Sequence, residues 1–556
     1  MKSTGANTEV PSSTLVIAPV LVPLVAGILL LLLRGRALPH RRAFSLLAVA
    51  VQVILALGLL TATAGGRILI HSLGDWPAPF GIVLVADPLS AWLLLITALL
   101  AGFALWQACQ GLDRAGRHFH VLFQLQLFGL NGAFLTGDLF NLFVFFEVLL
   151  LASYGLVLHG GGPARTRAGL HYVIVNLAGS ALFLIAAGLI YGIFGTLNLA
   201  HLARLLTTVP ADNLGPARVA LLLLLGVFGL KAALLPLYLW LPATYASAVA
   251  PVAALFAIMT KVGAYAILRV STLLLGPEAG DLAGLYGAWL VPLALATLIA
   301  GMLGALAARS LGQQTAYLVV ASVGTLLLAF GLGDREALAA GLYYLPHSTF
   351  AAATLFLLID TIARGRGPLT DRFVPGPEIP RAPLVGGLFF LCAILLAGLP
   401  PLSGFLAKFL LLRAALDHPA WPWILATVLV AGLLALIALA RAGSLLFFRS
   451  AALGQGGGLS ATVIPAAEAP VPGMSPLSAG STLPGGEGNV SPAAALPLGN
   501  ESPVSGLSRL LPPAVLLLVT LGLTLWANDW LAVTTAIADQ LLHPQAYIHA
   551  VLGETP

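Results

Sequence analysis

The sequence alternates between long apolar runs and short polar connections along most of its length. Each run can cross a hydrocarbon core of about 30 Å as an α-helix, and the runs predict about fourteen transmembrane helices. Helices satisfy their own backbone hydrogen bonds, which open strands in lipid cannot do, so the fold class is all-α integral membrane. The predicted spans cover residues 13–34, 43–63, 88–110, 120–137, 138–158, 169–195, 217–241, 247–270, 284–308, 313–332, 336–363, 383–412, 422–448 and 510–533.

Three segments depart from this pattern. Residues 64–87 alternate apolar and polar positions around a Gly/Pro centre, which predicts a β-hairpin outside the membrane. Residues 450–509 are rich in Gly, Pro, Ser and Ala, a composition typical of a flexible linker, here on the inner side. The tail after residue 534 mixes polar and apolar positions, is broken at Pro544, and is expected to lie on the membrane interface.

Composition supports a lipid environment, because 59% of the residues are hydrophobic and only 8% are charged. A soluble domain carries about 25% charged residues. The net charge of +5 comes from no basic stripe with interleaved aromatic residues, so we expect no nucleic-acid partner. Cys109 and Cys392 lack metal-ligand spacing and no nucleotide motif is present, so we expect no disulfide, metal or cofactor.

Arginine placement predicts the orientation. If the N-terminus is outside, most arginines fall in inner loops, among them Arg42, and few basic residues, among them Arg269, fall on the outer side. The positive-inside rule favours this arrangement, and an even number of helices then places the C-terminus outside too. The first apolar run has spanning length, so we expect no cleavable signal peptide.

Lysine has a different distribution from arginine. Lys231, Lys261 and Lys408 all lie inside predicted spans, whereas arginine supplies nearly every loop charge, so the sequence predicts that the buried cations are all lysine. A buried lysine can give up its proton, which arginine does not do, and a central charge costs at least ~3 kcal/mol. These positions indicate proton translocation. For Lys408, nearer a helix end, a side chain that reaches the interface is the alternative.

Glu147 is a carboxylate deep in a predicted span, and we expect Lys231 from another helix to pair with it. A purely structural ion pair is the alternative, although buried pairs stabilise poorly compared with apolar packing. His347 follows Pro346 in a predicted span and is flanked by hydroxyl-bearing residues, which favours a proton relay. A histidine that simply hydrogen-bonds to neighbouring backbone is the alternative for His347.

Two predicted helices, the seventh and the twelfth, carry breaks. Pro236 follows Lys231, and Pro400 and Pro401 precede Lys408 and free the carbonyls of Leu396 and Ala397. Broken helices in corresponding positions of two halves are typical of transporters built from inverted repeats. The predicted divisions are 1–119 with three helices and the hairpin, 120–270 and 284–449 as two inverted five-helix repeats, the linker 450–509, and 510–556 with the last helix and tail.

At these residues the chain resembles the D-type subunit of the Mrp-type multisubunit sodium/proton antiporters, which is related to the antiporter-like subunits of NADH:quinone oxidoreductase. The resemblance covers about residues 15–448 and the last helix, and its 229–270 block is long and specific. The matching stretches are GDWPAPFGIVLVADPLSA at 74–91, NLFVFFEVLLLASYGL at 141–156, GLKAALLPLYLWLPATYASAVAPVAALFAIMTKVGAYAILRV at 229–270, AYLVVASVGTL at 316–326 and GLPPLSGFLAKF at 398–409.

The resemblance implies roles for the same five residues. The family's glutamate in helix 5 falls on Glu147, its lysines in helices 7, 8 and 12 fall on Lys231, Lys261 and Lys408, and His347 occupies a polar position of helix 11. One departure is the linker at 450–509, which is longer than the family pattern.

The function expected from the sequence is a secondary transporter subunit, not an enzyme, in a bacterial inner membrane. It exchanges protons for sodium or another monovalent cation together with other subunits of a hetero-oligomer. A proton-pumping subunit of a redox-driven complex is one alternative. A structural membrane subunit whose buried charges hold partners together is another.

Overall fold

Apolar helices dominate the structure, as the hydrophobic runs predict. The computed structural model describes residues 10–449 and 507–553, so the predicted linker at 450–509 lies almost entirely outside the described residues. The α-helices are α1 (Val10–Leu32), α2 (Leu38–Ala62), α3 (Pro88–Ala108), α4 (Phe119–Leu135), α5 (Leu139–Val157), α6 (Pro163–Phe194), α7 (Leu199–Leu205), α8 (Ala211–Ala232), α9 (Trp240–Ser247), α10 (Ala250–Phe256), α11 (Met259–Leu273), α12 (Gly287–Ala307), α13 (Leu311–Leu332), α14 (Arg335–Arg366), α15 (Ala382–Ala397), α16 (Ser403–Ala414), α17 (Trp421–Gly443), α18 (Leu511–Leu525), α19 (Ala527–Leu542) and α20 (Gln545–Leu552).

Eleven segments of the described residues are helical, long and apolar enough to cross a membrane, or twelve if α18 and α19 form one span. Fourteen spans are expected from the sequence, and the difference lies at three places. Helix α4 has only 17 residues. The predicted span 383–412 is divided into α15 and α16. The predicted span 510–533 is not one helix, because α18 and α19 meet at an angle of 79°.

The predicted hairpin is confirmed. Strands β1 (Leu69–Ser72) and β2 (Val83–Ala86) pair antiparallel, with Leu69 opposite Ala86 and Ser72 opposite Val83. All four residues of β2 are buried. The strand leads directly into Asp87, whose side chain caps α3 by accepting a hydrogen bond from the Ser90 backbone.

Helices α3, α10–α11, α13 and α14 form the centre of the molecule. Every residue in the most apolar window of α10–α11 is buried, against about a third for α2 and α17. The peripheral helices expose large apolar side chains, as expected for surfaces that face lipid. Polar groups in the middle of these helices, among them Lys261, Ser322 and His347, are therefore shielded by protein.

The tail packs on the helix bundle. The predicted break at Pro544 is confirmed, because α19 ends at Leu542 and α20 begins at Gln545. Tyr547 in α20 is buried, and its ring lies 5.2 Å from the guanidinium carbon of Arg269 in α11.

Small residues allow the closest helix contacts. A Cβ atom on Gly263 in α11 would lie 2.5 Å from the backbone nitrogen of Ala232 and 2.8 Å from the carbonyl carbon of Lys231. Helix α11 therefore touches the end of α8 backbone to backbone, which side-chain-free glycine permits.

We predict that Gly263→Ala lowers the thermal stability of the purified membrane complex. The added methyl group must displace the end of α8, and overpacking of this kind costs about 1–3 kcal/mol. Gly188→Ala in α6 is the matched control, because nothing lies within 4 Å of its added Cβ. Equal melting temperatures for the two variants would contradict the close contact.

Candidate functional site

The first helix break lies just after Lys231, which is in the last turn of α8. Helix α8 ends at Ala232, and Ala233 takes a left-handed backbone conformation with φ +63°. Side chains satisfy the groups that the break leaves free. The Leu230 carbonyl accepts a hydrogen bond from Trp240 Nε1 at 3.1 Å, and the Leu235 amide donates to Thr297 Oγ1 at 2.9 Å. The break is therefore a supported feature of the fold.

Glu147 and Lys231 hydrogen-bond to the same serine, Ser180. The Ser180 hydroxyl on α6 donates a hydrogen bond to Glu147 Oε1 and accepts one from Lys231 Nζ at 3.4 Å. Lys231 also donates to the Asn176 carbonyl at 3.4 Å and lies 5.9 Å from the Phe146 ring centroid. The structure thus brings the predicted pair together through Ser180, with Lys231 buried and Glu147 half-buried.

Lys261 lies in the first turn of α11 and is fully buried. Its Nζ donates to the Ser322 hydroxyl on α13 at 3.2 Å, and Ser322 in turn donates to the Val319 carbonyl at 2.7 Å. The break at residues 257–258 just before α11 was not expected from the sequence.

Lys408 contacts the end of α15 at the second helix break. Helix α15 ends at Ala397, and Lys408 Nζ on α16 donates to the Ala397 carbonyl at 3.1 Å. This carbonyl is one of the two that Pro400 and Pro401 are expected to free. Gly398 leaves room for the ammonium group, because a Cβ there would lie 2.9 Å from Lys408 Nζ. Lys408 is half-buried.

His347 connects α14 to both halves of this broken helix. Its Nδ1 lies 2.9 Å from the Ser403 hydroxyl at the start of α16. Its Nε2 faces the Leu395 carbonyl at the end of α15. His347 is buried, and the Tyr344 ring centroid lies 5.7 Å from its own.

Hydroxyl groups lie between Lys261 and His347. Thr325 follows Ser322 by one helical turn on α13, so the two hydroxyls share a face. Tyr344 on α14 faces Thr325, and its ring is next to His347. Ser322, Thr325 and Tyr344 thus form a ladder of polar groups across the α13–α14 contact.

The prediction that the buried cations are all lysine is wrong. Arg269 and Arg366 are also buried. Arg269, expected on the outer side, lies in α11 and pairs with the buried Asp87 at 2.6 Å. Arg366 donates to backbone carbonyls, among them that of Arg372 at 2.5 Å. Asp87 lies between β2 and Pro88, and nothing in the sequence around it indicates a partner 182 residues away. The fold brings Asp87 and Arg269 together.

A second polar cluster surrounds Asp113, between α3 and α4. Arg42 on α2 donates to both carboxylate oxygens at 2.7 and 2.5 Å, and His120 Nε2 lies 3.1 Å from Oδ2. Ligand-type atoms of Cys109, Asp113 and His120 lie within 4.8 Å of one another. Because Arg42 already binds both oxygens, we interpret the cluster as an ion-pair network and not as a metal site.

The network changes the acidity of Asp113. Burial raises the pKa of the carboxyl group, but the hydrogen bonds from Arg42 and His120 outweigh burial and lower the pKa to about 2. A lowered pKa means that the carboxylate stabilises the fold above its unfolded pKa. That stabilisation is lost only as the pH falls from about 4 towards about 2.

We compared the chain with known proteins. Residues 136–435 match the family model described as "NADH:quinone oxidoreductase/Mrp antiporter, TM". A probable K(+)/H(+) antiporter protein of Rhizobium meliloti, named as the D-type subunit, is 44% identical in an alignment of 469 residues that covers 78% of this chain and 87% of that protein. The chain belongs to the D-type family of Mrp antiporter subunits.

Two further relatives agree with this membership. The D-type subunit of the Na(+)/H(+) antiporter of Alkalihalophilus pseudofirmus is 37% identical over 77% of this chain and 86% of that protein. A chain of the Mrp complex from Dietzia sp. superposes with a TM-score of 0.79 at 30% identity, covering 98% of this chain and 100% of that chain. This subunit is thus a multi-pass membrane protein of a bacterial antiporter family.

Sequence reasoning noted the hydroxyl-bearing residues that flank His347 but missed three others. Ser180, Ser322 and Thr325 contact or neighbour the charged groups, yet single hydroxyl residues in apolar helices are common and carry little signal. Asn176 and Ser180 share one face of α6, and this spacing of polar residues is the one sequence clue to their position.

We predict that Asp113→Asn lowers the melting temperature of the assembled complex. Loss of the ionised partner of Arg42 costs about 1–3 kcal/mol. The difference from the wild type should persist down to about pH 5, because the Asp113 carboxyl remains ionised there. Asp417→Asn, at an exposed position, serves as the control. A difference that shrinks as the pH falls from 8 to 5 would contradict the lowered pKa.

Proposed function

We propose that this chain is a proton-translocating subunit of a multisubunit monovalent cation/proton antiporter. The observation that carries the proposal is the contact of Lys231 with Glu147 through Ser180 beside a helix break. A buried cation and carboxylate joined by one hydroxyl can exchange a proton without either charge having to leave the apolar interior. Family membership supports the same activity.

In the proposed route, Glu147 holds Lys231 in its charged form until a proton enters from one side and disturbs the pair. Lys231 then loses its proton to water molecules leading to Lys261. From Lys261 the proton passes along hydroxyl groups to His347 and then to Lys408 and the opposite face. The contacts Lys261–Ser322 and His347–Ser403 support this order. Neighbouring sites should titrate as coupled groups.

We further propose that residues 120–270 and 284–449 are two inverted five-helix repeats. Asp138 caps the second helix of the first repeat and pairs with Asn198, just after the third helix. Ser310 caps the second helix of the second repeat and pairs with Arg372, just after the third. In both repeats the fourth helix is broken. These correspondences support the division better than direct sequence similarity does.

The orientation with both termini outside remains our proposal from the arginine distribution, in a bacterial inner membrane. Two arginines of that count need a separate explanation. Arg269 on the outer side and Arg42 on the inner side are both held in ion pairs within the protein. Neither arginine should therefore be counted as a free loop charge when the orientation is predicted.

For the exchanged ion we propose a monovalent cation, sodium in our sequence-based expectation. The relatives' names include both potassium and sodium. We propose that the other subunits of the antiporter complex are the partners. The redox-driven pump is the alternative, and quinone- and iron–sulfur-binding proteins encoded by neighbouring genes would favour it.

We predict that Glu147→Ala and Lys231→Ala each abolish antiport. Each variant leaves the other charge without its counterion, so the proton cannot be held and released at this site. The measurement uses everted vesicles from an antiporter-deficient host that expresses the chain with its neighbouring genes. It follows the collapse of a preformed pH gradient after addition of sodium, potassium or lithium.

The wild type should collapse the gradient with at least one cation, and that cation identifies the exchanged ion. Both variants should be present in the membrane in wild-type amounts. Full antiport in either variant would contradict the pairing. No collapse by an assembled wild-type complex would favour the redox-driven pump.

A further inference from the structure

The Ser180 hydroxyl contacts both charged groups of the proposed site. It is buried, and it carries one hydrogen that faces two acceptors, Glu147 Oε1 and the Asn176 carbonyl oxygen at 3.0 Å. Its oxygen also accepts a hydrogen bond from Lys231 Nζ. One hydroxyl group therefore lies directly between the ammonium and the carboxylate.

Burial of the hydroxyl does not require these contacts. The buried hydroxyls of Thr97, Thr315 and Thr354 each donate to the carbonyl four residues earlier in their own helix, at 2.7–2.8 Å. Ser180 has the same option in the Asn176 carbonyl. The contacts with Glu147 and Lys231 are thus additional to what a satisfied serine in a helix needs.

We propose that Ser180 is the relay through which a proton passes between Lys231 and Glu147. This inference rests on the proposed function, because it assumes that the pair takes part in proton translocation. It adds a specific atom, the Ser180 oxygen, and makes the exchange within the pair independent of an intervening water molecule.

The transfer balances in protons and charge. One N–H bond of the Lys231 ammonium breaks and its proton forms a new O–H bond on Ser180, while the original Ser180 O–H bond breaks and that proton binds Glu147 Oε1. The ammonium and carboxylate become an amine and a carboxylic acid, and Ser180 is neutral before and after. The same bonds broken and formed in reverse return a proton from Glu147 to Lys231 after Lys231 has released one towards Lys261. No oxidant, metal or other reactant is needed.

The Asn176 carbonyl allows the Ser180 hydroxyl to return to its starting orientation. After the transfer, the new Ser180 hydrogen points towards the Lys231 nitrogen. Rotation of the hydroxyl towards the Asn176 oxygen removes that hydrogen from the pair while keeping it hydrogen-bonded. The Ser180 oxygen is then free to accept again from Lys231, which also contacts the Asn176 carbonyl at 3.4 Å.

The test compares Ser180→Ala, which removes the hydroxyl, with Ser180→Thr, which keeps it. The readout is the rate of cation-dependent proton movement by the full complex reconstituted in liposomes, measured over a range of cation concentrations. Ser180→Ala should lower the maximal rate at least about tenfold, since positioned proton-transfer groups contribute about 10²–10⁴-fold. The half-saturating cation concentration should stay unchanged, and Ser180→Thr should restore most of the rate.

Thr97→Val is the matched control. It removes a buried hydroxyl that donates only to its own helix, and it should keep the wild-type rate. Wild-type rates for Ser180→Ala would overturn the relay. So would a Ser180→Thr complex that assembles normally but is as slow as Ser180→Ala, because the hydroxyl would then not be the group that matters.

The Glu147→Ala variant distinguishes a failure of the Ser180 relay from a failure of the proposed function. If Glu147→Ala abolishes transport while Ser180→Ala does not, the relay is wrong and the proposed function stands. If Glu147→Ala keeps full antiport, the proposed function of the pair fails, and the relay fails with it.

Discussion

Burying a cation among apolar helices costs several kcal/mol unless an opposite charge or hydrogen bonds compensate for the lost water. This constraint separates two kinds of buried cation in the protein. Arg269 has a carboxylate partner in Asp87, and Arg366 has several carbonyls. Lys261 and Lys408 have, among the described residues, one neutral hydrogen-bond acceptor each. The arginines are held by an ion pair or by several carbonyls, whereas each of these two lysines contacts one neutral group.

The helix break at Pro400 and Pro401 supplies the polar group that Lys408 contacts. Lys231 lies in the last turn of α8, and Lys408 donates to the last residue of α15, so both are close to the carboxyl end of a helix. That end carries partial negative charge and favours a cation. A helix that continued through these positions would have no such end, because its carbonyls would be hydrogen-bonded within the helix. Pro400 and Pro401 therefore act by leaving the Ala397 carbonyl free to accept from Lys408.

The large features of this arrangement could be predicted from the sequence because each depends on local chemistry. Apolar run length predicted most of the spans, proline predicted the ends of α8 and α15, and a charge in an apolar run identified Glu147 and the lysines. The remaining features depend on tertiary contacts. Nothing in the sequence predicts that Ser180 lies between Glu147 and Lys231, or that Asp87 and Arg269 pair across the fold. The 79° bend after α18 follows an apolar run with no proline or glycine at the turn, so length alone suggested one span.

The central claim is that the buried lysines are kept for transport at some cost in stability, and Lys261→Met tests it most directly. Lys261 is fully buried, and methionine keeps most of its volume without the charge. Antiport in reconstituted vesicles and the melting temperature of the complex should be measured on the same preparation. The account predicts that antiport is lost while the melting temperature is unchanged or higher, since apolar replacement of a buried charge is often neutral or stabilising. Retained antiport with a lower melting temperature would contradict it and make Lys261 a structural charge.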